Sequence, residues 1–213
     1  MANGSMSTRI LLFGMILVFL SLSSCKQSLG GISDFYSLPA KLGEDWQMVV
    51  EIPAGTNLKL EYQQRRDAFI PDTLDGKVRV IDFLPYPGNY GFIPSTLMDE
   101  ASGGDGDPVD VLLISEALPT GTVVRIHPIG TLLLVDDGET DTKIIAVPKD
   151  LSIRTFQATN YMDLSIQYQS VKRLVEDWFL NYKGPGRTES LGWRDEVYAD
   201  KLIEKSRLKV EEE

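Results

Sequence analysis

From Trp46 onward the chain is a series of short apolar runs separated by turn residues. Met48-Val49-Val50-Glu51-Ile52 is the first. Leu58-Lys59-Leu60-Glu61-Tyr62 alternates with a period of two, which puts Lys59 and Glu61 on one face of a strand. Further strands are predicted over residues 77–83, after the Leu74-Asp75-Gly76 turn, and over residues 109–114, 122–126, 130–135 and 143–147. His127 falls at a strand end before Pro128. Between Tyr168 and Tyr182 the spacing becomes helical, with Val171, Leu174, Val175, Trp178 and Phe179 on one stripe. Residues 197–210 read as a charged surface helix. Many short strands followed by late helices predict an α+β domain on a small β-barrel.

The first part of the chain follows a different pattern. Arg9 precedes an apolar run, residues 10–20, broken only by Gly14. That run is shorter than the roughly 20 apolar residues of a spanning helix and fits a signal-peptide core. Leu22-Ser23-Ser24-Cys25 behind it resembles the bacterial lipobox, in which the cysteine becomes the lipidated first residue. Cys25 is the only cysteine, so neither a disulfide framework nor a thiolate metal cluster is available. The expected division is a signal peptide over residues 1–24, a lipidated Cys25 with a flexible tether over residues 25–36, and one folded domain over residues 37–213. Such a lipid anchor implies attachment on the periplasmic side of the cell envelope, and Lys26 after the cysteine favours the outer membrane.

Formal net charge is −10, and only Arg9 is charged among the first twenty-five residues. The acidic excess therefore belongs to the folded part, which argues against a nucleic-acid partner. It suits a protein that gathers cations, with local Lys and Arg needed for any anionic substrate.

One loop concentrates this charge. Asp105-Gly106-Asp107-Pro108-Val109-Asp110 places three carboxylates on a bent, stiff turn that runs into an apolar strand. Their mutual repulsion calls for a positive partner, and Mg²⁺ is the natural candidate because it takes carboxylate oxygens and keeps water positions. A solvated acidic turn is the plain alternative. An EF-hand is excluded, since Val109 falls on a ligand position and Asp110 on the turn glycine. Other charged or aromatic positions stand out: Lys59 and Glu61, Arg79 within a predicted apolar strand, Tyr86 and Tyr90 around a turn, a second acidic loop from Asp136 to Lys143, and Asn181-Tyr182-Lys183 at a helix end. Each alone reads equally well as a surface, core or capping residue.

In order along the chain, however, they resemble the soluble family I inorganic pyrophosphatases. The matching segments are Glu51-Ile52-Pro53, Lys59-Leu60-Glu61, Arg79 after Gly76-Lys77, Tyr86-Pro87-Gly88-Asn89-Tyr90-Gly91, the Asp105–Asp110 loop, Asp136 with Asp141 and Lys143, Tyr182-Lys183, and Gly192-Trp193. The resemblance implies a small closed OB-like five-stranded β-barrel core with peripheral strands and two or more flanking helices. It implies Mg²⁺-dependent hydrolysis of pyrophosphate to two phosphates by direct attack of a hydroxide bridging two of several metals. Asp105, Asp110 and Asp141 then hold the activating metal, with Asp110 bridging to a second, and Asp136 and Glu61 hold metals arriving with substrate. Glu51 orients metal-bound water from behind. Asp107 is the general base. Lys59, Arg79, Lys143, Tyr182 and Lys183 bind phosphoryl oxygens, and Tyr90 hydrogen-bonds a metal-holding carboxylate. The stretch from Gln63 to Lys77 is long, so Arg65 and Arg66 stand as rivals to Arg79. A homo-oligomer, a hexamer as in bacterial members, is implied too.

Overall fold

The computed structural model describes residue 1, residues 34–136 and residues 138–208. The expected signal peptide, Cys25 and the tether up to residue 33 lie outside these. In chain order the elements are β1 (Lys41–Leu42), β2 (Asp45–Ile52), β3 (Leu60–Gln63), β4 (Ala68–Pro71), β5 (Thr73–Leu74), β6 (Lys77–Val78), β7 (Asn89–Phe92), β8 (Asp110–Leu113), β9 (Val123–Asp136) and β10 (Glu139–Pro148). Then come α1 (Tyr161–Ile166), α2 (Gln169–Asn181), β11 (Thr188–Arg194) and α3 (Glu196–Ser206).

Five strands close on themselves. The sheet runs β2-β7-β8-β10-β9, and β9 pairs back onto β2. Closure leaves the ring without an edge. β1 and β11 add to the outside, and β3–β4 and β5–β6 form separate hairpins. This is the α+β barrel anticipated from the strand pattern, in the OB-like form that the resemblance implies.

The barrel strands are almost continuously apolar because both of their faces are covered. Leu112, Ile145 and Val147 enter a core that includes Val175, Trp178 and Phe179 of α2. Their alternating neighbours Val111, Leu113, Ile144 and Ala146 enter another, closed by Ala199 and Ile203 of α3. Each fully buried Val, Leu, Ile or Phe side chain among them contributes about 1.5–3 kcal/mol. α3 starts at Asp195, whose carboxylate accepts the Tyr198 N–H at 2.9 Å, an N-cap bond. Among the described residues no helix is long and apolar enough to cross a membrane.

Four sequence expectations need correction. The two strands predicted around His127-Pro128 are one strand, β9, because a bulge opposite Ile145–Ala146 absorbs the irregularity. Residues 77–83 do not form a strand: only Lys77–Val78 pairs in a hairpin, and Val80 makes an isolated bridge to Leu58. Val78, Val80 and Phe83 stay exposed there, and Ile81 alone of these hydrophobics is buried. Leu174, at the flank of the α2 stripe, is exposed. Finally, Phe35 and Tyr36 pack against Tyr62, Phe69 and Phe92, so the end of the supposed flexible tether is part of the folded body.

Candidate active site

A cleft of about 340 Å³ gathers residues that the sequence scatters: Glu51, Lys59, Glu61, Arg79, Tyr90, Asp105, Asp107, Asp110, Asp136, Asp141, Lys143, Tyr182 and Lys183. Strand register does most of this. β8 and β10 are parallel, with Asp110 paired to Lys143. Asp141 lies two residues earlier on β10, hence on the same face as Lys143. The buried Lys143 Nζ donates to Asp110 Oδ2 at 2.5 Å, to Tyr90 Oη at 3.0 Å, and to Asp141 Oδ1. Burial alone pulls the lysine value down, but Asp110, Tyr90 and Asp141 outweigh it and hold Lys143 well above the ordinary lysine value. Tyr90 thus meets the lysine, not a carboxylate as expected. It reaches the cleft because β7 closes tightly on β2. A Cβ on Gly91 would lie 1.9 Å from the Val49 carbonyl oxygen, so only glycine fits.

The acidic loop is rigid through its own bonds. Gly106 takes a left-handed φ of +80°, and the Asp107 N–H donates to Asp105 Oδ1 at 3.0 Å. The Met98 N–H donates to the Asp107 carbonyl and the Gly106 N–H to the Met98 carbonyl, both at 2.8 Å. One oxygen each from Asp105, Asp110 and Asp141 falls within 4.8 Å of the others. Three hard oxygen donors at that spacing fit Mg²⁺ or a similar divalent cation. Asp107 stands at the cleft mouth. Reduced hydration between the walls, then the charges of Asp105, Asp110 and Glu61, push its carboxyl up to about 6, against a weaker pull from Lys59. Behind the loop, Glu51 is buried and accepts the Tyr62 N–H at 2.7 Å. Burial pushes it up to about 8, with that N–H opposing and Asp110 and Glu61 adding.

The cationic side is laced by backbone bonds. Lys59 N–H donates to the Arg79 carbonyl, Arg79 N–H to the Asp72 carbonyl and Asp72 N–H to the Lys59 carbonyl, at 2.8–3.0 Å. Asp72 Oδ2 then ion-pairs with both Lys59, at 3.4 Å, and Arg79, at 3.2 Å. Lys59 also meets Glu61 at 2.5 Å. Arg65 and Arg66 are exposed in a 3₁₀ turn and do not line the cleft, whereas Arg79 does. Tyr182 stacks on Trp178, with centroids 4.8 Å apart. Lys183 pairs with Asp136 Oδ2, whose other oxygen accepts Thr188 Oγ1 at 3.2 Å. Tyr86 is buried core, against Trp178. His127 lies outside the cleft with Nε2 2.7 Å from the Thr159 carbonyl.

Sequence reasoning passed over Asp72, Tyr36, Glu139 and Thr140, of which the last three line the cleft. Glu139 was visible in the second acidic loop, whereas nothing local marks Asp72, which acts through distant cations. Among the described residues around the cleft, and leaving out Glu51, whose raised carboxyl is largely protonated near neutrality, Glu61, Asp105, Asp107, Asp110, Asp136, Glu139 and Asp141 outnumber Lys59, Arg79, Lys143 and Lys183. That excess of negative charge suits further cations, and the lysines and arginine set among the carboxylates suit an anion bound together with them.

Comparison with known proteins agrees. The family model described as inorganic pyrophosphatase matches residues 48–211. The inorganic pyrophosphatase of Agrobacterium fabrum is 37% identical over 179 residues, covering 80% of this chain and 92% of that protein. The one from Neisseria meningitidis serogroup B is 39% identical, covering 75% and 85%. The crystal structure of the Thermus thermophilus inorganic pyrophosphatase superposes with a TM-score of 0.68 at 32% identity, covering 81% of this chain and 96% of the other.

Proposed function

Since the chain belongs to the inorganic pyrophosphatase family, we propose that it hydrolyses pyrophosphate to two phosphates in this cleft, with Mg²⁺ as its cofactor. The carrying observation is that one cleft holds both an oxygen-only cation site, Asp105, Asp110 and Asp141, and the cationic side chains of Lys59, Arg79, Lys143 and Lys183. Pyrophosphate is a dense anion whose hydrolysis depends on positioning and charge neutralisation.

Asp105, Asp110 and Asp141 would hold the first Mg²⁺, and Asp136 and Glu61 further ions. When bound, such ions neutralise phosphoryl charge and make water acidic enough to ionise near neutrality. The side chains do the rest. Asp107 accepts at its carboxylate the proton of the attacking water; a carboxyl raised to about 6 is a stronger base than an ordinary one and still ionised at neutral pH. Arg79 grips phosphoryl oxygens with its planar fork, and Lys59 and Lys183 add point charges. Tyr182, its phenol kept protonated by burial, donates a hydrogen bond to the leaving phosphate. Glu51 holds the Tyr62 N–H and thereby the strand that carries Glu61.

The direct test is phosphate release from pyrophosphate by the purified chain, with nucleoside triphosphates as competing substrates, in Mg²⁺ and in EDTA. Fast Mg²⁺-dependent release from pyrophosphate alone is expected. Release only from nucleotides, or undiminished release in EDTA, would overturn the assignment.

The same proposal covers location and assembly. Lipidation of Cys25 and envelope anchoring rest on the apolar run and the Leu22-Ser23-Ser24-Cys25 motif. Cys25→Ser should then lose the mass of the lipid and leave the membrane fraction. A homo-oligomer is proposed from family membership, and light scattering of the purified protein checks it.

A further inference from the structure

We infer that Tyr36 is a positioning residue for the cleft, in a segment that ties the Lys59–Glu61 strand to the Asp105–Asp110 loop; the inference rests on reading the cleft as a pyrophosphate site.

β3 is not part of the barrel. It pairs only with β4, so other contacts must fix Lys59 and Glu61 against the metal-binding carboxylates. Both main-chain groups of Tyr62, the residue after Glu61, are held from outside the hairpin. The Tyr62 N–H donates to Glu51 Oε1 at 2.7 Å. The Tyr62 carbonyl accepts the Tyr36 hydroxyl at 3.1 Å. Tyr36 lines the cleft, and its ring packs on Tyr62 and on Phe92 of the barrel, at 5.0 and 4.8 Å between centroids. Burial first, then the carboxylates of Glu51, Asp107 and Glu61, hold the phenol far above its ordinary value, so it stays a donor at any working pH.

The other end of Tyr36 reaches the acidic loop. Its carbonyl accepts the Ser95 N–H at 2.9 Å, and Ser95 Oγ donates to the Leu38 carbonyl at 2.7 Å. Ser95 has φ +52°, a costly conformation for a residue with a Cβ, and these bonds hold it there. The next residue, Thr96, accepts the Val109 N–H at 3.0 Å on Oγ1, and Val109 lies between Asp107 and Asp110. Asp34 steadies the segment, accepting the Tyr36 N–H at 3.0 Å and Gln64 Nε2 at 2.6 Å. A continuous set of bonds therefore runs from the strand of Lys59 and Glu61, through Tyr36, to the loop of Asp105, Asp107 and Asp110. The hydroxyl is spent on a carbonyl, so Tyr36 acts through these neighbours and not on substrate.

The test compares Tyr36→Phe with Phe35→Leu in the full-length protein. Tyr36→Phe keeps the ring and loses only the bond to the Tyr62 carbonyl. Phe35→Leu loosens the same aromatic cluster without touching that carbonyl. Expected for Tyr36→Phe is a roughly fivefold rise in KM for magnesium pyrophosphate and in the Mg²⁺ concentration for half-maximal rate, the scale of one hydrogen bond, with kcat nearly unchanged and Tm lowered by no more than about 2–4 °C. Phe35→Leu should lower Tm with wild-type KM. The inference is overturned if Tyr36→Phe has wild-type KM and Mg²⁺ dependence, or if both variants change KM in proportion to lost Tm. An inactive wild-type chain would instead sink the pyrophosphate reading on which this one rests.

Discussion

Replacing Lys143 by Met tests the electrostatic logic of the cleft directly. Lys143 is 4% exposed, and its partners Asp110 and Asp141 are 20% and 12% exposed. Two unit charges 4 Å apart attract by about 4 kcal/mol at an effective dielectric of 20, and both pairs here are closer than that. Against this stands a desolvation cost of several kcal/mol for each ion. Met preserves the apolar stem but leaves two largely buried carboxylates beside Asp105 without Lys143 as counter-ion. Breaking one partner out of a buried ion pair costs about 3–5 kcal/mol. In a domain of this size 1 kcal/mol moves Tm by about 2–4 °C, so the metal-free variant should melt about 10 °C below wild type. Mg²⁺ then becomes the informative arm. A ligand at one hundred times its Kd stabilises by about 2.7 kcal/mol. Metal bound at the exposed carboxylates should restore more Tm in the variant than it adds to wild type, where Lys143 already neutralises the same oxygens. Scanning calorimetry in EDTA and in saturating Mg²⁺ measures both. An unchanged Tm in EDTA, or equal Mg²⁺ shifts in the two proteins, would refute the argument.

The other predictions address single parts. Asp107→Asn should fold and bind Mg²⁺ normally while phosphate release falls by about 10²–10⁴, the usual worth of a general base; near-normal release would remove Asp107 from that role. Asp110→Ala should weaken Mg²⁺ binding by at least about tenfold in a calorimetric titration. Gly91→Ala should cost roughly 3 kcal/mol or more, since its Cβ would meet the Val49 carbonyl oxygen at 1.9 Å, read as a lower urea midpoint. Asp72→Asn concerns pH. Burial raises the Asp72 carboxyl, but Lys59, Arg79 and the Thr73 N–H together outweigh it and hold it below the ordinary value. A carboxyl lower in the folded than in the unfolded state stabilises above the unfolded value and loses that contribution as pH falls. Wild type should therefore lose stability below about pH 4 more steeply than Asp72→Asn, by an amount near 1 kcal/mol.

Barrel strands were legible because alternate residues feed two cores, and the strong apolar runs at 109–114 and 143–147 survive any reading. The break at Pro128 misled because proline ordinarily ends a ladder, and a bulge that spares it leaves no local mark. Residues 77–83 look like a strand on β-propensity, yet Arg79 and Ile81 are claimed in turn by the Asp72 carbonyl and, for the Ile81 N–H, the Asn57 carbonyl. The carboxylates and lysines of the site were readable only as a set, through the resemblance of their order along the chain to a known family, since each alone reads equally well as a surface, core or capping residue. Asp72 and Tyr36 were not, since each works through partners that only the folded chain brings near. Tyr36 also sat in a stretch whose composition suggested a linker.

Why should such a concentration of like charge sit on strands and not on mobile loops? A loop bearing Asp105, Asp107 and Asp110 could relax by spreading its carboxylates, and would then hold a small hard cation poorly. Here Asp110 and Asp141 are fixed by the β8–β10 register, and the loop is pinned at Met98, Gly106 and Val109. The repulsion cannot be relieved by movement. Relief comes from Lys143, and would come from a divalent cation held by Asp105, Asp110 and Asp141. The closed barrel supplies the stability that makes this tolerable, since its buried strands tie the carboxylates to two apolar cores. Each added cation thus finds oxygens already in place, and its binding energy is not spent on ordering them. The same rigidity explains why the segment of Lys59 and Glu61 can be less embedded: it need only be aligned to a fixed frame, through Glu51 on one side of Tyr62 and Tyr36 on the other.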